Sequence, residues 1–312
     1  MITRPQIAIL DDYQNVALTY GDWSAINKLA EITVFNDHLS SKEEIIQRLK
    51  PFQVIAVMRE RTPLTREILS QLPSLKLIIS TGERNASIDI KAAEEFGIAI
   101  SPTRYLSNGA PELTWALMLA LAKHLIPESS QVRKSGWQTE VGVDLKGKTI
   151  GIVGLGRIGS TIAHYAKAFE MEVIAWSQNL TEERAAAQGA KLVSKEELFI
   201  KADFVTVHLV LSSRSRGIIT EKELNLMKPS AFFINTSRGP LVDEAALISV
   251  LTQKKIAAAA LDVYEIEPLP LQHPFRTLTN VLATPHIGYV TENTYRIFYE
   301  DIQNRIAEWL KE

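Results

Sequence analysis

The chain is 312 residues long, 46% apolar and 22% charged, enough to bury a substantial core and, at about 150 residues per domain, to form two domains. Its 34 basic and 36 acidic side chains give a formal charge of −2, which argues against the basic stripe that a nucleic-acid partner requires. With no cysteine there is no disulfide, no thiolate metal ligand, no iron–sulfur cluster and no cysteine nucleophile, and a reducing compartment fits without being demanded.

At the N-terminus the apolar run at 7–10 is too short for a signal-peptide core and leads straight into Asp11 and Asp12. The longest apolar stretch, 115–122, falls well short of the roughly 20 residues a membrane span needs. The expectation is a soluble, cytoplasmic protein with no membrane partner. Short β-type runs at 7–10, 32–35, 54–57 and 77–79 alternate with helical patterns at 23–29, 42–49 and 66–69. Such alternation predicts a parallel sheet built from βαβ units. A helix is expected at 111–125, with Pro111 and Glu112 suited to its first turn. The polar stretch 127–148, with Gly136, Gly142 and Gly147, reads as an exposed loop.

A second series of strands is expected at 149–153, 173–176, 204–207, 231–234, 257–261 and 281–283, the count of a full dinucleotide-binding sheet. The predicted fold class is therefore α/β, with two doubly wound parallel sheets. A last helix at 292–310 places Ile297, Phe298, Ile302, Ile306 and Leu310 at helical spacing. It is long enough to return and cover the first domain.

The segment 149–159 reads TIGIVGLGRIG. Gly154, Gly156 and Gly159 follow an apolar strand and open an amphipathic helix. In that context the first glycine makes the tight turn, the second admits a pyrophosphate to the backbone, and the third lets helix and strand pack closely. The helix N-terminus then offers N–H groups and partial positive charge to the phosphates. The plainer alternative is a glycine-rich turn with no ligand.

A strict NAD site places an acid at the end of the second strand, for the ribose 2′-hydroxyl. Here that strand ends in Trp176 and continues Ser177-Gln178-Asn179, while Glu172 stands at the wrong end. Without the carboxylate, a 2′-phosphate meets no repulsion; Ser177, Gln178 and Asn179 can donate to either group and Arg184 is a candidate counter-charge. The cofactor expectation is NAD(P), tipped narrowly to NADP(H).

Three polar segments follow the fourth, fifth and sixth strands of this series: NTSRG at 235–239, LDVYEIEP at 261–268 and TPHIG at 284–288. Ligands bind outside the carboxyl ends of strands in doubly wound sheets, so Arg238, Asp262, Glu267 and His286 fall at the ligand edge. An arginine orients a carboxylate or carbonyl oxygen bidentately. A histidine exchanges the proton of the oxygen that gains or loses hydride, and a glutamate beside it fixes the ring and favours its charged form. Singly, each has a plainer reading: a surface ion pair, a turn residue before Pro268, a loop histidine. Together, on one sheet with a glycine fingerprint, they point to a site.

These motifs resemble those of the D-isomer-specific 2-hydroxyacid dehydrogenases, the group that includes phosphoglycerate dehydrogenase, glyoxylate/hydroxypyruvate reductase and formate dehydrogenase. The likeness covers nearly the whole chain and is most specific at 153–159, 235–239, 261–263, 267–268 and 284–288. The spacings fit as well, with Glu267 29 residues after Arg238 and His286 19 after Glu267. The resemblance implies an NAD(P)-dependent reduction of a small 2-oxo acid to a D-2-hydroxy acid, with Arg238, Glu267 and His286 as the catalytic set and no metal. It implies that Asp262 meets the nicotinamide carboxamide and that Gly154, Gly156, Arg157 and Ile158 hold the pyrophosphate. Ser177, Gln178, His208, Leu209, Val210, Thr236, Ser237 and Gly288 would line the rest of the cofactor. In the first domain, Arg59 and the loop Thr81, Gly82 and Glu83 match the family's substrate-binding segments; backbone amides there would take the carboxylate.

By the same resemblance, residues 1–101 and 289–312 form a flavodoxin-like substrate domain, and a Rossmann cofactor domain, 102–288, is inserted between them. Hinge closure and a homodimer formed through the cofactor domain are implied too. The chain departs from the family pattern at the missing acid, at Leu209-Val210 where Leu-Pro is usual, and at Tyr289 where a second glycine is common. The alternatives are a dinucleotide-sensing, corepressor-like binding protein and an amino-acid dehydrogenase on a related frame. Arg59, Arg61 and Arg84 suit an extra anionic group on the substrate but equally a solvated surface.

Overall fold

The computed structural model describes residues 4–311. The chain forms two compact units: one runs to Leu106 and resumes at Val290, the other is Ser107–Tyr289. The first crossing lies five residues later than the 101 expected. Past its last strand the chain stays tied to the first unit, because the Thr103 amide bonds Ser80 O at 3.0 Å and Arg104 forks onto Asp301 at 2.7 Å.

The first unit is a five-stranded sheet of β1 (Gln6–Ile9), β2 (Glu31–Val34), β3 (Val54–Val57), β4 (Leu77–Ser80) and β5 (Ala99–Pro102). All pairings are parallel, in the order β2-β1-β3-β4-β5, the flavodoxin-like order. β3 and β4 are buried along their whole length, which is why they read as unbroken apolar runs. β5 was not expected: Ala-Ile-Ser-Pro is short, carries a proline and lies at the edge. The helix Glu292–Trp309 does return to this unit. It buries Tyr295, Phe298, Tyr299, Ile302 and Ile306, and the Tyr299 hydroxyl donates to the buried Asp12 at 3.3 Å.

The second unit holds β6 (Thr149–Val153), β7 (Glu172–Trp176), β8 (Lys191–Leu192), β9 (Phe204–Val207), β10 (Phe232–Asn235), β11 (Ala258–Leu261) and β12 (Val281–Ala283). All are parallel, in the order β12-β11-β10-β9-β6-β7-β8. That makes seven strands rather than six; two-residue β8 is too short to leave a pattern. The chain reverses its winding between β6 and β9, so a crevice opens at their carboxyl ends. The stretch expected as a loop after residue 127 instead begins inside the helix Leu125–Arg133. This helix buries no residue and therefore shows no apolar periodicity to read. No described helix is long and apolar enough to cross a membrane.

The Ile302 side chain, 1% exposed, fixes the returning helix. Ile302→Ala is expected to cost about 2–5 kcal/mol in the first unit's unfolding transition, read by urea denaturation. An unchanged midpoint would show that the helix contributes no packing there.

Candidate active site

The crevice of the second unit begins at the glycine turn. Gly154 has φ +106°, and a Cβ on it would lie 2.7 Å from the His208 carbonyl. A Cβ on Gly159 would lie 2.1 Å from Gly154 O, so turn and helix close only with hydrogen at both positions. Gly156 differs: a Cβ there meets nothing within 4 Å. Its backbone faces open space at the N-terminus of the helix Arg157–Ala168, the place for an anion. The Ser177 hydroxyl accepts from the Leu155 amide at 3.1 Å and ties the turn to the end of β7.

A cleft of about 480 Å³ opens here, lined by the glycine turn, Ser177–Leu180, Arg184 and residues of the 208–218 segment. These donors fit a dinucleotide: open backbone for its phosphates, hydroxyl and amide groups for its ribose. The lining carries two guanidiniums, Arg184 and Arg214, and no carboxylate. Arg214 escaped the sequence reading because it sits mid-loop in Ser-Ser-Arg-Ser-Arg, where nothing distinguishes it from a solvated charge. The Ser237 hydroxyl donates to Leu209 O at 2.8 Å, while Val210 is 83% exposed. His208 is half-buried as a residue, but its imidazole is desolvated, which pushes its pKa down to about 3. The ring is therefore neutral at working pH, with Nε2 2.9 Å from the Thr206 hydroxyl.

Beyond β10, the buried Asn235 folds the next turn. Its Oδ1 accepts from the Ser237 amide at 3.0 Å and its Nδ2 donates to Arg238 O at 3.0 Å. Thr236 meets Thr114 through their hydroxyls at 2.6 Å, which ties the turn to the helix Gly109–Ala122. A Cβ on Gly239 would lie 2.0 Å from the carbonyl carbon of Tyr264. The turn bearing Arg238 thus lies backbone to backbone against the loop that leads to Glu267.

After β11, Asp262 is fully buried. Its Oδ1 accepts from the Thr284 hydroxyl at 2.6 Å and the Ile287 amide at 2.9 Å, and its Oδ2 from the Gly288 amide at 2.9 Å. Burial raises its pKa against the pull of these donors. Asp262 accordingly holds the loop that carries His286, a task the sequence reading did not foresee. His286 sits in the left-handed region at φ +52°, and its Nδ1 lies 2.5 Å from Glu267 Oε2. Glu267 Oε1 accepts from the Tyr264 amide at 2.9 Å. A carboxylate only accepts, so Nδ1 carries hydrogen and Nε2 is left to exchange a proton. Tyr289 meets the His286 ring edge-on at 5.6 Å, so the departure from glycine adds a wall beside that imidazole.

In the first unit, Arg59 (φ +52°) follows β3. Its amide donates to the Thr81 hydroxyl at 2.7 Å and its guanidinium to Thr81 O at 3.0 Å. The Thr81 amide is spent on Val57 O and the Gly82 amide on the Thr103 hydroxyl. Thr81 and Gly82 thus build the loop, so amides offered to a ligand would come from Glu83, Arg84 and the positions after them. No group of three or more metal-type ligands occurs among the described residues.

The family model for the D-isomer specific 2-hydroxyacid dehydrogenase NAD binding domain matches residues 115–288. The chain is similar to the glyoxylate reductase of Thermococcus litoralis, at 37% identity over 92% of this chain and 89% of that protein. It is also similar to the D-3-phosphoglycerate dehydrogenase of Methanocaldococcus jannaschii, at 39% identity over 87% of this chain and 52% of that protein. The chain thus spans about half the length of the phosphoglycerate dehydrogenases it matches. Among solved structures, the phosphoglycerate oxidoreductase of Vibrio cholerae o395 is similar over 98% of each chain, with a TM-score of 0.91 and 39% identity.

Two outcomes follow from this geometry. Gly239→Ala forces backbone apart and is expected to cost about 1–3 kcal/mol, read by denaturant unfolding; a neutral result would refute the close approach. An unfolded histidine titrates near 6.5 and the folded His208 near 3. Between those values the unfolded chain binds the extra proton, so stability falls as pH falls. His208→Gln should recover about 2–3 kcal/mol of the loss between pH 6.5 and 4.5, and equal pH slopes for both proteins would contradict this.

Proposed function

Because the chain belongs to the D-isomer specific 2-hydroxyacid dehydrogenases, we propose that it reduces a small 2-oxo acid to the D-2-hydroxy acid, reversibly, with a nicotinamide dinucleotide. The observation that carries this reading is the Glu267–His286 pair, which leaves Nε2 of an accessible imidazole as the proton donor. When bound, the reduced cofactor supplies hydride to the keto carbon. His286 Nε2 gives its proton to the oxygen of that carbon, and Glu267 stabilises the charged ring before transfer. In the oxidative direction neutral His286 takes the proton back. Arg238 orients the carbonyl and carboxylate oxygens. Arg59 and the amides of Glu83 and Arg84 take the substrate carboxylate.

The cofactor proposed is NADP(H) ahead of NAD(H). Two arginines and no acid in the cleft lining support it, since a 2′-phosphate gains charge-assisted bonds there. Gly154, Gly156, Arg157 and Ile158 would hold the pyrophosphate. Relatives are named glyoxylate reductase and phosphoglycerate dehydrogenase, and the substrate is proposed from that range. The reading includes a homodimer, supported by Leu125, Ile126, Val132, Trp137 and Val141 as exposed apolar side chains in one short stretch of the second unit.

The test is cofactor oxidation with glyoxylate, hydroxypyruvate, phenylpyruvate and phosphohydroxypyruvate. Turnover is expected, and His286→Ala should lower kcat by about 10²–10⁴ with cofactor binding kept. No turnover, together with cofactor-dependent self-association, would replace the enzyme by a sensor. Arg184→Ala with Arg214→Ala should raise KM for NADPH about tenfold or more and leave KM for NADH nearly unchanged; a parallel rise in both would remove the 2′-phosphate assignment.

A further inference from the structure

We propose that Glu244 and His273 form a brace that sets the position of Glu267, and through it the orientation of His286; this rests on the proton-transfer reading above. Glu244 opens the helix Glu244–Thr252, whose N-cap Asp243 accepts from the Ala246 amide at 3.0 Å. Its backbone is therefore fixed. An acid at this place favours a helix by itself, but here both carboxylate oxygens are spent elsewhere. Oε2 accepts from the Glu265 amide at 3.1 Å, and Oε1 lies 3.0 Å from His273 Nε2. Glu265 and His273 stand on either side of Glu267 in the chain, so one carboxylate clamps both ends of the segment that presents the catalytic glutamate.

The ring of His273 is fixed as well. Its Nδ1 accepts from the Phe275 amide at 3.3 Å, so Nε2 carries the hydrogen and donates to Glu244. The ring lies 4.8 Å from that of Phe275, which is buried and packs on Tyr264 at 6.3 Å. Tyr264 supplies the amide that holds Glu267 Oε1, so the clamp and the catalytic carboxylate share one packed frame. Other ties hold the same segment from outside: Arg276 donates to Leu269 O and Pro270 O, and Arg216 pairs with Glu265. The Arg216 pair is half open to solvent, whereas His273 and Glu244 are 13% and 23% exposed, and a sheltered bond screens less. Glu244 and His273 act through the loop and are positioning residues.

Three variants separate the brace from mere folding. In His273→Asn the shorter amide can still accept from the Phe275 amide but cannot reach Glu244; in His273→Gln a longer amide can donate to Glu244; Glu244→Gln gives up the carboxylate's second acceptor. His273→Asn and Glu244→Gln are expected to lower kcat about 10- to 100-fold, with cofactor KM and melting temperature nearly unchanged, and His273→Gln to recover most of the loss. In a His286→Ala background His273→Asn should cost nothing further, because the brace works through that ring. A loss that tracks melting temperature, or one that repeats in full without His286, would overturn the brace. The ¹⁵N signals of the His286 ring give a reading that needs no turnover: they should move in His273→Asn and return in His273→Gln. Unmoved signals refute the brace. Moved signals in a protein that reduces no 2-oxo acid refute only the proposed reaction.

Discussion

One hydrogen bond, from His286 Nδ1 to Glu267, gives the site its chemical direction. It decides which nitrogen faces outward, and so which atom can trade a proton. Neither partner sits on a regular element, so the bond holds only if two irregular loops are fixed to each other. The structure meets that demand with buried polar groups. Asp262 takes three donors from the loop of His286, and the Tyr264 amide steadies Glu267. Gly239 lets the turn of Arg238 press directly on the same loop. The hydrogen bonds among these ties use donors and acceptors whose burial without a partner would be costly, which makes the arrangement stiff.

The parallel sheet is what collects these loops. β10, β11 and β12 run side by side, so their carboxyl ends deliver Arg238, Glu267 and His286 to one edge. β6 and β9 open the crevice on that sheet, where the glycine turn meets His208. Net charge says nothing of this. The whole chain carries −2, whereas the cleft beside the glycine turn holds only guanidiniums as charged groups.

Much of this was legible in the sequence because buried parallel strands read as apolar runs, and because a glycine turn and polar strand ends stand out against them. What escaped did so for physical reasons. β8 is two residues long and β5 is an exposed edge with a proline, so neither leaves a run. Leu125–Arg133 buries nothing and has no amphipathic stripe. Thr114, Glu244 and His273 make contacts between segments distant in the chain, and Arg214 shares its cleft with the glycine turn; no local pattern encodes either. Asp262 was visible as a polar residue at a strand end, but its three bonds to the 284–288 loop appear only once β11 and β12 lie together.

The most direct test is the handedness of the product. Supplied with reduced cofactor and a prochiral 2-oxo acid such as hydroxypyruvate or phenylpyruvate, the protein should form the D-hydroxy acid, resolved by chiral chromatography. Formation of the L-isomer, or of a racemic mixture at the enzymatic rate, would contradict the proposed reduction to a D-2-hydroxy acid.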